Sequence, residues 1–514
     1  MGEGAENNAN DVWRDVQGTG DPGDPNALRG RRVLVMGLGL LGGGVSAARY
    51  AVAQGAAEVV VTDLRGEELL APSIAQLAEL PIRYVLGRHD VADFTGADVV
   101  VRNPNVPRGS PYLAAAREAG VRVEMEIAWF FRACASQGGK IAGVTGTRGK
   151  STTTLLLHHM LMAGGLEPLL GGNLGGIETL ALLPQVTPER WVVLELGNWM
   201  LEGLHTIRRS PQLAIFTGLL PDHLNAYDSM DDYGEAKSSI FRYQGSDDRA
   251  LFNADNDYGR RYAAEAPGGQ VWLYSPERQS AWLRDQQNVA AAQRPFRYGE
   301  AVRLRGAHNL GNVQAAALAA ELIGVNHETI RAAVADFTGV PHRLEVVRTL
   351  DGVVYVNDSA STAPIAAIAA LHSFSEPILL IAGGNGKHID HGEFAAEAVA
   401  RCKQIVLLAG NVSDQFAADL RAAAQAQGRD ELRILGPLDN LGAALSAARA
   451  GAEPGDVVLL SPGFTSFGMF LHEFDRGDRF RALTQALAPS RSTDRGEEPE
   501  HATPPAPRSS SGRS

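Results

Sequence analysis

This sequence predicts an α/β protein of three domains, and three observations carry that expectation. Apolar, β-branched runs alternate with helical stretches from Arg32 to Leu487, the pattern of parallel strands covered by helices on both faces. Two strand-to-helix junctions are glycine-rich turns of the kind that bring backbone N–H groups and a helix N-terminus to an anion. The chain has 514 residues, too many for one core, and roughly three domains are expected at ~150 residues each.

Residues 1–29 are rich in Gly, Asn and Asp and read as a disordered leader without the basic and apolar segments of a signal peptide. The first domain, 30–138, opens on a buried strand, Arg32-Val-Leu-Val-Met36. That strand feeds Gly37-Leu-Gly39-Leu-Leu-Gly42 and a helix through Val45–Ala53. A second strand, Glu58–Thr62, ends at Asp63, completing a G-x-G-x-x-G fingerprint with its acidic partner. Those glycines serve any pyrophosphate, NAD included, or close helix–strand packing. Further strands at Ile82–Leu86 and Asp98–Arg102, with a helix at Pro111–Ala119, continue the alternation.

The second domain, 139–343, contains Gly143-Val-Thr-Gly146-Thr147-Arg148-Gly149-Lys150-Ser151-Thr152 between an apolar strand and a helix. Val144 stands where the first glycine of a strict Walker loop belongs, so the fit is to the variant Thr-Gly-Thr-x-Gly-Lys-Ser. Gly146 and Gly149 let the backbone turn toward phosphate, Lys150 can reach terminal phosphates, and the Ser151 hydroxyl can join a Mg2+ shell. We read an ATP site. Downstream, Gly171-Gly-Asn173-Leu precedes the strand Trp191–Leu196, and the strand Leu213–Thr217 leads to Pro221-Asp222-His223-Leu224. Tyr233–Lys237 lies on a helix, and Gly306-Ala-His308-Asn309-Leu-Gly-Asn312 opens another. Glu195 and His223 follow apolar strands, where open α/β sheets place ligands. Alone, each is more often solvated or structural. Beside a phosphate loop they suit a metal shell.

The third domain, 344–488, begins with a hairpin-like stretch from Val346 to Val356 that leads to Asn357-Asp358-Ser359 and a helix at Ala363–Leu371. A strand at Pro377–Ile381 precedes Gly383-Gly-Asn-Gly-Lys387, strands follow at Gln404–Leu408 and Val457–Leu460, and Ser461–Ser466 is expected to open a phenylalanine-rich helix. Residues 489–514 turn to Pro, Ser, Arg and Glu and read as a disordered tail.

Composition narrows the partners. A net charge of −12 argues against nucleic acid as the main partner, and no apolar stretch reaches membrane-spanning length, so no membrane insertion is expected. Two cysteines, Cys134 and Cys402, allow no disulfide framework and fit a reducing cytoplasm.

Taken in order, these motifs resemble the Mur ligases, and within them the branch that adds D-glutamate to UDP-N-acetylmuramoyl-L-alanine. The carriers are the Gly37–Gly42 fingerprint, Thr-Gly-Thr-x-Gly-Lys-Ser, Gly-Gly-Asn-Leu, Leu-Glu-Leu, Asp-His-Leu, Glu-Ala-Lys, His-Asn-x-x-Asn, Pro-His-Arg, Asn-Asp-Ser, Gly-Gly-x-Gly-Lys and Leu-Ser-Pro, spanning Arg32 to Leu487. The resemblance implies a Rossmann-like UDP-binding domain, a central P-loop ATPase and a Rossmann-like C-terminal domain that closes over the acceptor. It also implies a cytoplasmic monomer in peptidoglycan precursor synthesis, with ATP and two Mg2+ ions. Gly39, Leu40, Asp63 and Arg65 would then hold uridine diphosphate, not NAD, and Asn173 would touch the nucleotide-sugar substrate. Lys150 and Ser151 would hold phosphates and metal. Glu195, His223 and a carbamylated Lys237 would support the metal ions. Asn309 and Asn312 would face adenine, Arg343 and Asp358 would reach γ-phosphate and ribose, and Thr362, Lys387 and Ser466 would bind D-glutamate. The implied chemistry is attack of the substrate carboxylate on the ATP γ-phosphate, then displacement of phosphate from the acyl phosphate by an amine.

Some residues depart from the family pattern. Leu-Glu-Leu is followed by Gly197-Asn198-Trp199-Met200-Leu201 where the family has Ser-Ser-aromatic-Gln-Leu. Ala360 replaces a lysine in Asn-Asp-Ser-Lys-Ala-Thr, Arg148 replaces an asparagine, and Glu473 aligns with a phenylalanine. A ligase with a changed acceptor or donor, and an ATP-binding inactive paralogue, are the readings that compete with the D-glutamate ligase.

Overall fold

The computed structural model describes residues 28–489 except 41, 105, 175–176, 223–226, 268, 285–293, 305, 307, 387–389 and 467. The expected leader up to residue 27 and the tail from residue 490 lie outside these. Leu28, at the end of that leader, is buried at 3% exposure.

Three sheets organise the chain. The first holds β1 (Arg32–Met36), β2 (Glu58–Asp63), β3 (Ile82–Leu86), β4 (Val99–Arg102) and β5 (Arg122–Glu124), in the order β3-β2-β1-β4-β5. Every neighbouring pair is parallel. β1 and β4 read as unbroken apolar runs because helices cover both faces. The strand order reverses between β1 and β4, so the fingerprint glycines after β1 sit at a topological switch point.

The second sheet comprises β6 (Lys140–Thr145), β7 (Leu169–Gly172), β8 (Trp191–Glu195), β9 (Leu213–Phe216), β10 (Arg249–Asn253), β11 (Gln270–Ser275), β12 (Ser280–Leu283) and β13 (Arg294–Pro295). Their order is β13-β12-β11-β10-β9-β6-β8-β7. Sequence alternation predicts a parallel sheet throughout. From β7 to β11 it is parallel, but β12 and β13 pair antiparallel at one edge. The short β11–β12 link, Pro276–Gln279, leaves room only for a hairpin. β6 lies between β9 and β8, again at a reversal, and the phosphate-loop motif follows it. One apolar core runs from Val33 and Val35 of the first sheet through Trp129 and Phe130 to Phe216 and Phe252 of the second.

Residues up to Glu345 form one compact unit and those from Val346 another. The second unit carries the third sheet: β14 (Glu345–Leu350), β15 (Val353–Asn357), β16 (Ile378–Gly383), β17 (Cys402–Leu408), β18 (Arg433–Leu438) and β19 (Val457–Leu460), in the order β14-β15-β19-β16-β17-β18. β14 and β15 are joined by Asp351 and Gly352, both at positive φ, the backbone of a two-residue hairpin turn. The helix expected directly after Ser466 instead opens at Glu473 and runs to Gln485. Pro462, with Gly463 and Gly468 at positive φ, keeps the preceding segment out of helix.

Candidate active site

The phosphate-loop motif folds as its residues demand. After β6, Gly146 adopts φ 148° and Gly149 φ 82°, backbone that L side chains rarely take. Space forbids a side chain as well: a Cβ on Gly146 would lie 2.0 Å from Thr217 Oγ1, and one on Gly149 2.2 Å from Asn312 Oδ1. Helix Lys150–Ala163 starts directly on this turn, so its first N–H groups and positive end face the loop. Lys150 folds back over the turn, its Nζ donating to Gly146 O at 3.1 Å and Thr147 O at 3.0 Å. Ser151 is buried at 9% exposure at the helix head, with Thr152 beside it. Gly149→Ala should weaken ATP binding by at least roughly tenfold, because positive-φ strain and a clash fall on the cradle itself. Titration calorimetry showing unchanged affinity would remove the loop from the nucleotide site.

Thr147 fastens the loop to its neighbour. Its N–H donates to Gly218 O at 2.9 Å, and its hydroxyl accepts from Leu220 N at 3.0 Å. Asn256 braces the same segment, accepting from Leu219 N at 3.1 Å and donating to Leu219 O at 3.0 Å. This segment leads into Asp222 and His223. His223 lies outside the described residues, as does Lys387.

Glu195 ends β8 at 2% exposure. Its Oε1 accepts from Asn173 Nδ2 at 3.0 Å, and its buried Oε2 has no hydrogen-bond partner. Lys237, on helix Met230–Ser238, is 1% exposed, with its Nζ 4.9 Å over the Tyr233 ring. Burial pushes its ammonium well below the usual lysine range, the Lys150 charge adds to that, and Asp222 and Glu195 oppose it. Burial also lowers Lys150, with Glu195 and Asp222 raising it and Arg343 and Arg148 lowering it. Lys150, Glu195, Lys237 and Asp222 therefore share one electrostatic neighbourhood. Among the described residues no three His, Cys, Asp or Glu side chains converge on one point.

Asn309 and Asn312 open helix His308–Ile323, buried and bonded to each other through Asn312 Nδ2 and Asn309 Oδ1 at 2.8 Å. Asn312 packs on Gly149. Arg343 is exposed, with its N–H donating to Val340 O at 3.1 Å.

At the first switch point, Asp63 turns inward. Its oxygens accept from Gly39 N at 3.1 Å and Arg65 N at 2.9 Å. The carboxylate thus shapes the fingerprint turn, while Leu40 is partly buried and the Arg65 side chain is exposed. In the second unit, buried Asp358 follows β15 and accepts from Ser361 Oγ at 2.5 Å and Ser461 Oγ at 2.8 Å. Thr362 and Ala360 are partly exposed on the same loop. Ser466 is 4% exposed, with an unpartnered hydroxyl.

Sequence reasoning missed a buried network behind the departing segment. Asn198 Nδ2 donates to Tyr227 Oη at 2.8 Å, and Tyr227 Oη donates to Glu202 Oε1 at 2.9 Å. Arg102, at the end of β4, and Arg108, from the loop after it, donate to the same carboxylate at 2.5 and 2.7 Å. Asn198 thus points its amide into the protein, and Met200 is core at 5% exposure. No local signal marked the network, since Tyr227 and Arg102 meet helix Asn198–Thr206 only in the fold.

Comparison with known proteins places this architecture. Residues 31–124 match the Mur ligase MurD-like N-terminal domain, 144–320 the Mur ligase middle domain and 342–464 the Mur ligase glutamate ligase domain. The chain is 45% identical over 473 residues to the UDP-N-acetylmuramoylalanine–D-glutamate ligase of Roseiflexus sp. (strain RS-1), covering 90% of this chain and 99% of that one. The chain belongs to the Mur ligase family. This Mur ligase is also 38% identical to the enzyme of the same name from Geobacter metallireducens, over 90% of this chain and 98% of that one. The match to the Myxococcus xanthus enzyme of that name is 37%, over 90% and 99%. Among solved structures, its fold is similar to the UDP-N-acetylmuramate-alanine ligase MurC of Thermotoga maritima, with TM-score 0.56 and 18% identity over 88% of this chain and 99% of that one. It is likewise similar to MurF of Acinetobacter baumannii, with TM-score 0.53 and 18% identity over 84% and 92%. No helix among the described residues is long and apolar enough to cross a membrane.

Proposed function

We propose that this Mur ligase adds D-glutamate to UDP-N-acetylmuramoyl-L-alanine at the expense of ATP, through an acyl phosphate, in peptidoglycan precursor synthesis. The observation that carries the reading is the set gathered beside the central switch point: Lys150 on a glycine turn, Glu195 with a buried unpartnered oxygen, and Lys237 almost wholly buried. The names of its 45%, 38% and 37% identical relatives support this choice of substrates.

In this reading, Lys150 and the N–H groups of Gly146–Thr152 orient the ATP phosphates, and Asn309 and Asn312 face the adenine. Arg343 takes the γ-phosphate and Asp358 the ribose. Gly39, Leu40 and Arg65 take the uridine diphosphate on the turn that Asp63 shapes, and Asn173 touches the sugar nucleotide. Thr362, Lys387 and Ser466 receive D-glutamate, and the protein works as a monomer. The unpartnered Glu195 Oε2 and the Ser151 hydroxyl are hard oxygen donors that fit Mg2+, with His223 and Lys237 completing the support. Magnesium bound there would neutralise phosphate charge. Burial disfavours the charged form of the Lys237 amine, and the uncharged form is the one that reacts with CO2, so Lys237 fits carbamylation. Positioning and charge neutralisation by these residues, not proton transfer, set the rate.

With UDP-N-acetylmuramoyl-L-alanine, ATP and Mg2+ but no amino acid, hydroxylamine should trap the acyl phosphate as a hydroxamate. ATP consumption without hydroxamate would contradict the intermediate. Ala360→Lys restores a cation on the Thr362 loop and should lower KM for D-glutamate roughly fivefold, the worth of ~1 kcal/mol. An unchanged KM would take position 360 out of the acceptor site.

A further inference from the structure

Among the described residues of the second unit, one cation is buried: Arg476, at 0% exposure, in the first turns of helix Glu473–Gln485. Its guanidinium is held by neutral oxygens. Nε donates to Ser359 Oγ at 2.9 Å, Nη2 to Ser359 O at 2.9 Å and Nη1 to Phe464 O at 3.2 Å. Ser359 Oγ in turn donates to Glu473 O at 2.7 Å. Asp358 and Glu473 act on the guanidinium through their charge, and burial pushes it down to about 10. The Asp358 carboxylate accepts hydrogen bonds from Ser361 and Ser461.

Burying a guanidinium among carbonyls is costly, and an apolar side chain would fill the space more cheaply. What the fork achieves is geometric. Ser359 lies just beyond the carboxyl end of β15, and Phe464 just beyond that of β19. β19 runs between β15 and β16, where the strand order reverses and ligand crevices form. One planar group with fixed donor directions thus ties the loop 358–362 to the loop 461–466. Asn357 Nδ2, at the end of β15, donates to Gly477 O of helix Glu473–Gln485 at 3.2 Å. The two loops carry Thr362 and the unpartnered Ser466 hydroxyl.

We infer that Arg476 is a positioning residue for the amino-acid acceptor, holding the Thr362 and Ser466 loops at the separation that a bound amino acid requires. The inference rests on the ligase reading and deepens it, since Arg476 has no place among the expected acceptor residues.

The test compares Arg476→Lys and Arg476→Met with the wild-type chain. Lysine keeps the charge and loses the fork; methionine fills the space without either. KM for the acceptor should rise by on the order of tenfold in Arg476→Lys and further in Arg476→Met. KM for the UDP-sugar substrate and acceptor-free hydroxamate formation should stay within about twofold. Loss of melting temperature or of kcat with an unchanged acceptor KM in Arg476→Lys would make the residue merely structural and overturn the inference. The comparison is run with whichever amino acid supports turnover, so an acceptor other than D-glutamate contradicts the proposed function and leaves this test intact. A wild-type chain inert with every amino acid overturns both.

Discussion

Lys150→Ala is expected to lower kcat by at least roughly 10²–10³-fold, the ~2.7–4 kcal/mol scale of one preorganised donor to a developing anion, while the fold survives. Lys150 is the cation on the phosphate turn itself, and its Nζ already lies over the backbone of Gly146 and Thr147. No neighbouring group reproduces that reach: Arg148 is exposed, and Lys237 is fixed over Tyr233. The side chain contributes two hydrogen bonds to loop carbonyls and no core packing, and burial disfavours its charge. Removing it should leave thermal unfolding nearly unchanged. Turnover within tenfold of wild type, in a variant with native circular dichroism, would sink the phosphate-loop assignment.

The second large effect is expected at Lys237. Lys237→Met should cut turnover by roughly 10–10²-fold, the scale seen when groups supporting a metal site are removed. Stability should hold or rise, because a buried polar amine is replaced by an apolar side chain of similar length that suits the Tyr233 ring. Wild-type protein supplied with 13C-carbonate should show a carbamate resonance that the variant lacks. A variant that keeps its activity would reduce Lys237 to a packing residue. A wild-type spectrum without the resonance would leave the amine unmodified and remove the anionic role.

Much of this was legible in the sequence because it is local chemistry. The runs at Arg32–Met36, Lys140–Thr145 and Val457–Leu460 announce themselves as strands by unbroken apolar character, and Gly146–Ser151 declares its turn through glycines that no other residue replaces. What was not legible depends on contacts far along the chain. Asp63 is expected from the resemblance to hold uridine diphosphate, and the fold adds what the sequence did not show, that its oxygens accept from Gly39 N and Arg65 N. Asn198 stands where the family has a serine, and its amide donates to Tyr227, whose hydroxyl reaches the Glu202 carboxylate that Arg102, a hundred residues earlier, also holds. Met200, where the family has a glutamine, belongs to the core. Arg476 sits in an unremarkable charged helix start, and only the fold brings it against Ser359 and Phe464. The late opening of its helix follows from Pro462 and two positive-φ glycines, local signals outweighed by the phenylalanines around them.

The departures that suggested a changed substrate are partly explained by this. At Asn198 and Met200 the new side chains serve the interior. Ala360 is different, since it is partly exposed beside Thr362.

The most direct test of the central claim is phosphate release from ATP in the presence of Mg2+ and UDP-N-acetylmuramoyl-L-alanine, with D-glutamate, L-glutamate and basic amino acids supplied separately. Release that depends on D-glutamate, with a product heavier by one glutamyl residue in the mass spectrum, is the predicted result. Release that follows another amino acid, or ATP binding with no release at all, would contradict it.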